Sequence, residues 1–208
     1  PNTPTITAVP GDKKVTLYWD TVAEESVDPI TGEDFEGYVI YRSTDPSFND
    51  IQTITDGKGS DFLNEPLKTI EGFAAKWDIN NIWEGYHPIQ YQGRGIHYYL
   101  GDNTGLVHSY TDSNNVINGQ TYYYTVVAYD HGDSVGIPPT ETTKKITLDP
   151  ITNEYTFDKN TVQVIPGPRA SGYIPPVLNN DNAVHIDGTG TGDVEFTMMN
   201  DLIIEDGG

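Results

Sequence analysis

Three kinds of side chain in this sequence have types and spacings that could do chemistry: acidic loops, clustered aromatics and scattered histidines. Two loops carry oxygen ligands at short intervals. Asp45, Asn49 and Asp50 lie in TDPSFND, and Asp187 and Asp193 bracket a run holding Thr189 and Thr191. Closely spaced carboxylate and hydroxyl oxygens suit calcium, so calcium is the cofactor these residues suggest. Each loop also has a purely structural reading. Asp45-Pro46 opens an Asx-type turn. Asp187–Asp193 reads as a hairpin turn, lacking the terminal glutamate and flanking helices of a calcium loop. It has no lysine and is flanked by aspartates, which disfavours a phosphate loop.

The aromatics concentrate between residues 51 and 108, where Phe73, Trp77, Trp83, Tyr86, Tyr91, Tyr98 and Tyr99 fall. Exposed rings of this kind stack on sugars or anchor a protein contact. Trp77, Trp83, Tyr86 and Tyr91 are the candidate ligand-binding residues. The alternative is that the stretch folds back as a satellite core under a long loop. The five histidines, His87, His97, His108, His131 and His185, are far apart and none has ligand spacing. There is no Gly-x-Ser-x-Gly, no His-Glu-x-x-His and no cysteine nucleophile. Carboxylate pairs carry little information in a chain this acidic. A non-enzymatic role is the expectation.

Composition narrows the partners. The 208 residues hold 31 Asp and Glu against 11 Lys and Arg, a formal net charge of −20. A nucleic-acid backbone or an anionic membrane surface is repelled by such a chain. No stretch is long and apolar enough for a spanning helix. With no cysteine there is no disulfide, and a chain of this length needs none to bury a core. The start at Pro1, without methionine, is expected of a trimmed or mature product or of a fragment. The 21 glycines, 14 prolines and 14 tyrosines point to an all-β chain with many loops.

The elements that must position these residues centre on Asn118–Asp130, NGQTYYYTVVAYD. Asn-Gly marks a tight turn, and β-forming residues follow. Tyr122, Tyr124, Val126 and Ala128 share one face; Tyr123, Thr125, Val127 and Tyr129 share the other, also largely apolar or aromatic. Both faces are expected to be covered. Strands are also expected at Pro4–Val9, at Lys14–Asp20 with Trp19 in the core, at Gly37–Ser43 and at Thr142–Leu148. A short helix is expected over Pro66–Trp77, where Leu67, Ile70 and Phe73 have near-helical spacing. Glu154–Phe157 closes a hairpin after the Asp149–Asn153 turn. Asn160–Pro166, Val184–Ile186 and Val194–Met198 are further strand candidates.

YRSTDPSF (Tyr41–Phe48), NGQTYYYTVVAYD and NTVQVIPGPRASGY (Asn160–Tyr173) resemble segments of a fibronectin type III-like module in secreted bacterial cell-surface proteins of the Bacteroidetes type. Gly167 and Arg169 around Pro166 and Pro168 depart from the commoner Pro-Asn-Pro. The resemblance covers about two thirds of the chain and leaves out the aromatic stretch. It implies a sandwich over residues 1–149 with an insert at about 51–108, then a smaller, incomplete β-region over 150–208. It makes Tyr122 a corner tyrosine bonded back to upstream backbone. Asp20-Thr21-Val22 and Asp133-Ser134-Val135 match the short O-glycan acceptor pattern of such proteins.

The expected function is a non-catalytic extracellular or cell-surface module, structural or adhesive, working in a surface assembly or filament. The alternative is a carbohydrate-binding accessory module using the insert aromatics. Self-association or another surface protein is the expected partner. The apolar residues Val194, Phe196, Met198, Leu202, Ile203 and Ile204 form a candidate assembly edge that pairs by strand addition.

Overall fold

A computed structural model describes residues 1–52, 64–90, 97–174, 176–177, 189 and 198–200. The chain separates into a compact unit Pro1–Pro168 and a second unit Arg169–Gly208. In the second, the described residues include the Arg169 guanidinium 5.2 Å from the Tyr173 ring centre.

The first unit is all-β. β1 (Ile6–Gly11), β2 (Lys14–Trp19) and β7 (Ser109–Asp112) form an antiparallel sheet in the order β1-β2-β7. β3 (Phe35–Ser43), β4 (Lys76–Asp78), β8 (Tyr122–Asp130) and β11 (Thr161–Val164) form a second, in the order β11-β8-β3-β4. β5 (Tyr86–Gln90) pairs with β6 (His97–Tyr99), and β9 (Ile146–Leu148) with β10 (Tyr155–Phe157).

The two larger sheets share one core, which makes a sandwich. Alternation dictates its membership. Val15, Leu17 and Trp19 of β2 meet Tyr38 and Ile40 of β3 and Tyr122, Tyr124, Val126 and Ala128 of β8. Trp19 packs edge-on against Tyr38, with centroids 5.8 Å apart. Asp112 ties the layers together from a fully buried position. It pairs with Arg42 at 2.8 Å and accepts the Tyr124 hydroxyl at 2.7 Å.

The opposite face of β3 and β8 is covered too. Every residue of β8 is buried. Val39, Tyr41, Tyr123, Val127 and Tyr129 pack there with Phe48, Tyr98 and Leu100, and Trp83 joins them partly buried. From the aromatic stretch, Tyr98, Leu100 and Trp83 fold back onto this face. At the start of β8, the Tyr122 hydroxyl accepts the Ile117 N–H at 3.0 Å and donates to the Asn115 carbonyl at 3.4 Å. The corner geometry expected of Tyr122 is present.

Two segments differ from expectation. The first is Pro66–Trp77, which holds no helix. Lys68 bridges to Ala74 across a turn in which the Gly72 N–H donates to Thr69 and the Thr69 N–H to Phe73. Gly72 has φ +87, a conformation that favours glycine and does not occur inside a helix. Leu67 and Ala75 are buried, while Ile70 and Phe73 sit exposed around the turn. The second is Thr142–Leu148. Only Ile146–Leu148 is a strand, and it pairs with β10. The edge beside β8 is instead discontinuous. Thr140 and Thr142 bond to Asp130 and Ala128; the chain leaves through the β9–β10 hairpin; Asn160 then returns to bond Val126 and β11 completes the edge. The fully buried Asn160 bridges the gap by donating to the Thr143 carbonyl at 2.9 Å. Burial explains the choice: Val164 of β11 enters the first core, whereas Leu148 remains 44 % exposed. As a result β9, β10 and β11 fall within the first compact unit, and the expected boundary at 149/150 lies inside it.

Candidate functional site

The insert builds an open cleft of about 720 Å³ on the first unit. Its floor is β4, with Lys76 and Asp78. One wall is the turn carrying Lys68, Gly72, Phe73 and Ala74. The other holds Tyr86 of β5, Tyr99 of β6 and the loop from Gly101 to Thr104.

The floor is rigid for electrostatic reasons. Asp78 is fully buried and accepts three donors: the Asn103 N–H at 2.6 Å, the Thr104 N–H at 2.9 Å and the Thr104 hydroxyl at 2.7 Å. A carboxylate taking several N–H and O–H bonds holds a loop firmly. Gly101 is needed beneath that loop, because a Cβ there would run into the Asp78 carboxylate. The Lys76 ammonium lies 4.2 Å and 4.1 Å from the Tyr98 and Tyr129 ring centres and donates to the Tyr99 carbonyl. Beside it, Glu36 is fully buried and accepts Asn81 Nδ2 at 2.9 Å. Burial, with Asp78 nearby, pushes its carboxyl up to about 7.

The cleft walls are aromatic and open. Phe73 is 72 % exposed and Tyr86 48 % exposed. Tyr86 meets Tyr99 edge-to-face at 5.0 Å, and the Tyr99 hydroxyl donates to Asp102. Burial, then Asp102, raises the Tyr99 phenol well above its ordinary value.

Of the three described aromatics suggested by the sequence, Trp77, Trp83 and Tyr86, only Tyr86 lines this cleft. Trp77 is half-buried at the edge of the first core, 6.1 Å from Trp19 and 5.2 Å from Tyr110. Trp83 stacks with both His131, at 4.4 Å, and His87, at 5.7 Å, so the indole brings these two histidines near one another. Burial lowers the His87 imidazole below its usual value. Tyr91 lies outside the described residues. Phe73 and Tyr99 join the site instead. Phe73 was hidden by its apparent helical spacing with Leu67 and Ile70.

The Asp45–Asp50 carboxylates point onto their own turn. Asp45 accepts the Ser47 and Asn49 N–H groups at 3.0 and 3.2 Å and Asn49 Nδ2 at 2.8 Å. Asp50 accepts the Thr44 N–H at 2.7 Å and the Ser43 hydroxyl. A calcium ion there would have to displace these donors. Among the described residues no three His, Asp or Glu side chains converge as a metal-holding group. Asp187, Asp193, Val194, Phe196, Leu202, Ile203 and Ile204 lie outside the described residues; Met198 is described and half-buried. No described helix is long and apolar enough to cross a membrane.

No family model matches the sequence, and neither the curated proteins nor the solved structures give a significant match.

Proposed function

We propose that this chain is a non-catalytic extracellular module of fibronectin type III type, structural or adhesive, serving in a cell-surface assembly. The observation that carries the reading is the arrangement of the sandwich. Sheet β1-β2-β7 faces sheet β11-β8-β3-β4, and the corner tyrosine stands at the start of β8. The buried carboxylates support a structural role as well: Asp78 and Asp112 are engaged in holding loops and layers together. The partner is another copy or another surface protein, paired through the residues from Val194 to Ile204. Electron microscopy and sedimentation of native material test this. Filaments or concentration-dependent association, lost on deleting residues 200–208, are expected. Dispersed monomers that turn over a polysaccharide, with activity abolished by one carboxylate change, would overturn it.

A second reading, a carbohydrate-binding accessory module, has its own support in the cleft. Two aromatic rings stand exposed there beside fixed polar groups. A glycan array tests it directly.

A further inference from the structure

We propose that the insert cleft takes an uncharged, hydroxyl-rich sugar chain, with Phe73 and Tyr86 as stacking platforms and Lys68 and Asp102 as the groups that bond its hydroxyls. The proposal rests on the carbohydrate-binding reading and names its ligand class and residues.

Size and preorganisation come first. A cleft of about 720 Å³ is in the range of small-ligand sites, roughly 300–1,000 Å³. The walls are held before any ligand arrives. Asp78 fixes the loop bearing Thr104, Tyr99 is tied to Asp102, and the turn bearing Phe73 is closed by Thr69 and Gly72. Binding therefore orders few side chains, which favours affinity.

Charge selects the class. The chain carries a net −20, a field that repels an anionic ligand. The cationic groups of the cleft do not reverse this. The Lys76 ammonium is enclosed by two tyrosine rings and a carbonyl, and Lys68 lies 3.8 Å from Glu65. An acidic sugar thus finds no concentrated positive charge. A neutral sugar needs none: it offers C–H faces for rings and hydroxyls that both donate and accept. The cleft presents an ammonium donor at Lys68 and a carboxylate acceptor at Asp102 around two open rings. A proline-rich peptide, which also seats in an aromatic-lined groove, is the competing occupant that the test must separate.

The test uses the whole chain. Cello-, xylo-, manno- and malto-oligosaccharides, alginate and hyaluronate oligosaccharides, and a proline-rich peptide are titrated calorimetrically against wild type, Phe73→Ala and Tyr86→Ala. Expected is binding to at least one neutral series, weakened about tenfold or more in each variant, with melting temperatures unchanged. Binding confined to the acidic sugars and lost in the variants would overturn the ligand class while leaving carbohydrate binding at the cleft standing. Neutral-sugar binding that both folded variants retain would overturn the assigned residues but not the carbohydrate-binding reading. Binding of the peptide alone, or no binding to any sugar, would overturn both.

Discussion

The two faces of β8 carry two different kinds of core. On one face Tyr122, Tyr124, Val126 and Ala128 sit with Val15, Leu17, Trp19, Tyr38 and Ile40, a mainly apolar cluster closed by the partner sheet, with the Tyr124 hydroxyl donating to the buried Asp112. On the other, Tyr123, Val127 and Tyr129 meet Tyr41 and Tyr98, and charged groups border them. There three of the tyrosine tips have acceptors supplied from outside β3 and β8. Tyr129 donates to the Leu100 carbonyl, and Tyr41 and Tyr98 both donate to Glu141, at 2.9 and 2.7 Å. Burial drives the Tyr98 and Tyr129 phenols far above their ordinary range, so both remain donors. An apolar core can be closed by any well-shaped cover. A tyrosine core needs a cover that supplies acceptors at fixed places, and here the insert, through Leu100, and Glu141 in the segment after β8 supply them.

The largest expected effect falls on the apolar side. Trp19→Ala removes a ring packed on Tyr38 and Trp77. A loss of roughly 3–5 kcal/mol is expected from transfer and cavity together. Urea unfolding measures it, and an unchanged midpoint would mean that this core does not depend on its tryptophan.

The second effect belongs to the polar side and depends on pH. The Glu36 carboxyl is raised in the fold from 4.5 to about 7, chiefly by burial. Between those values the folded chain holds a proton that the unfolded chain has lost. Stability therefore falls as pH rises through this window, by an amount on the order of 3 kcal/mol for a shift of that size. Burial raises the Asp130 carboxyl as well, and hydrogen bonds lower the exposed Asp28, Asp45, Asp133 and Asp149, so the total slope is mixed. Comparison with Glu36→Gln isolates the one group. The variant should gain on wild type steadily from pH 4.5 to 7.5. Parallel unfolding curves across that range would show that Glu36 is ionised in the fold.

The same contrast explains what was legible in the sequence. The apolar core could be read from alternation in KVTLYWD, where one face is buried and period two shows it; in GYVIYRS and YYYTVVAYD both faces are buried, and period two tells only which residues share a face. The tyrosine face suggested a cover without saying which residues provide it. β4, β5 and β7 went unread: they are three to five residues long, β5 contains Pro88, and β7 is polar. Trp77 and Trp83 resemble exposed platforms in a sequence and are packing residues in the fold. Phe73 shows the reverse, an apparent core residue carried out to the surface by a turn at Gly72. The broken edge strand was hidden because β9 and β11 both alternate, and only the burial of Val164 separates them.

A smaller effect tests the corner that starts β8 and serves the apolar face. Tyr122→Phe keeps the ring and removes the hydroxyl that accepts the Ile117 N–H. A loss of about 1 kcal/mol is expected, with faster hydrogen exchange at the Ile117 amide. Unchanged exchange there would mean that the hydroxyl does not hold the turn.

The smallest expected effect is at the cleft, and it separates cover from site. Phe73 lies on the insert, yet it belongs to neither core and is 72 % exposed. Its turn is closed by main-chain bonds, from Gly72 to Thr69 and from Thr69 to Phe73, which a change of side chain leaves in place. Phe73→Ala should therefore alter stability by no more than about 0.5 kcal/mol, the usual range for a surface change away from caps and networks. The same substitution at Tyr98, which is buried and bonded to Glu141, should cost several times more. Urea unfolding of the two variants side by side decides the matter. A loss above about 1 kcal/mol for Phe73→Ala would place that ring under other parts of the chain, and the cleft would lose its main open face.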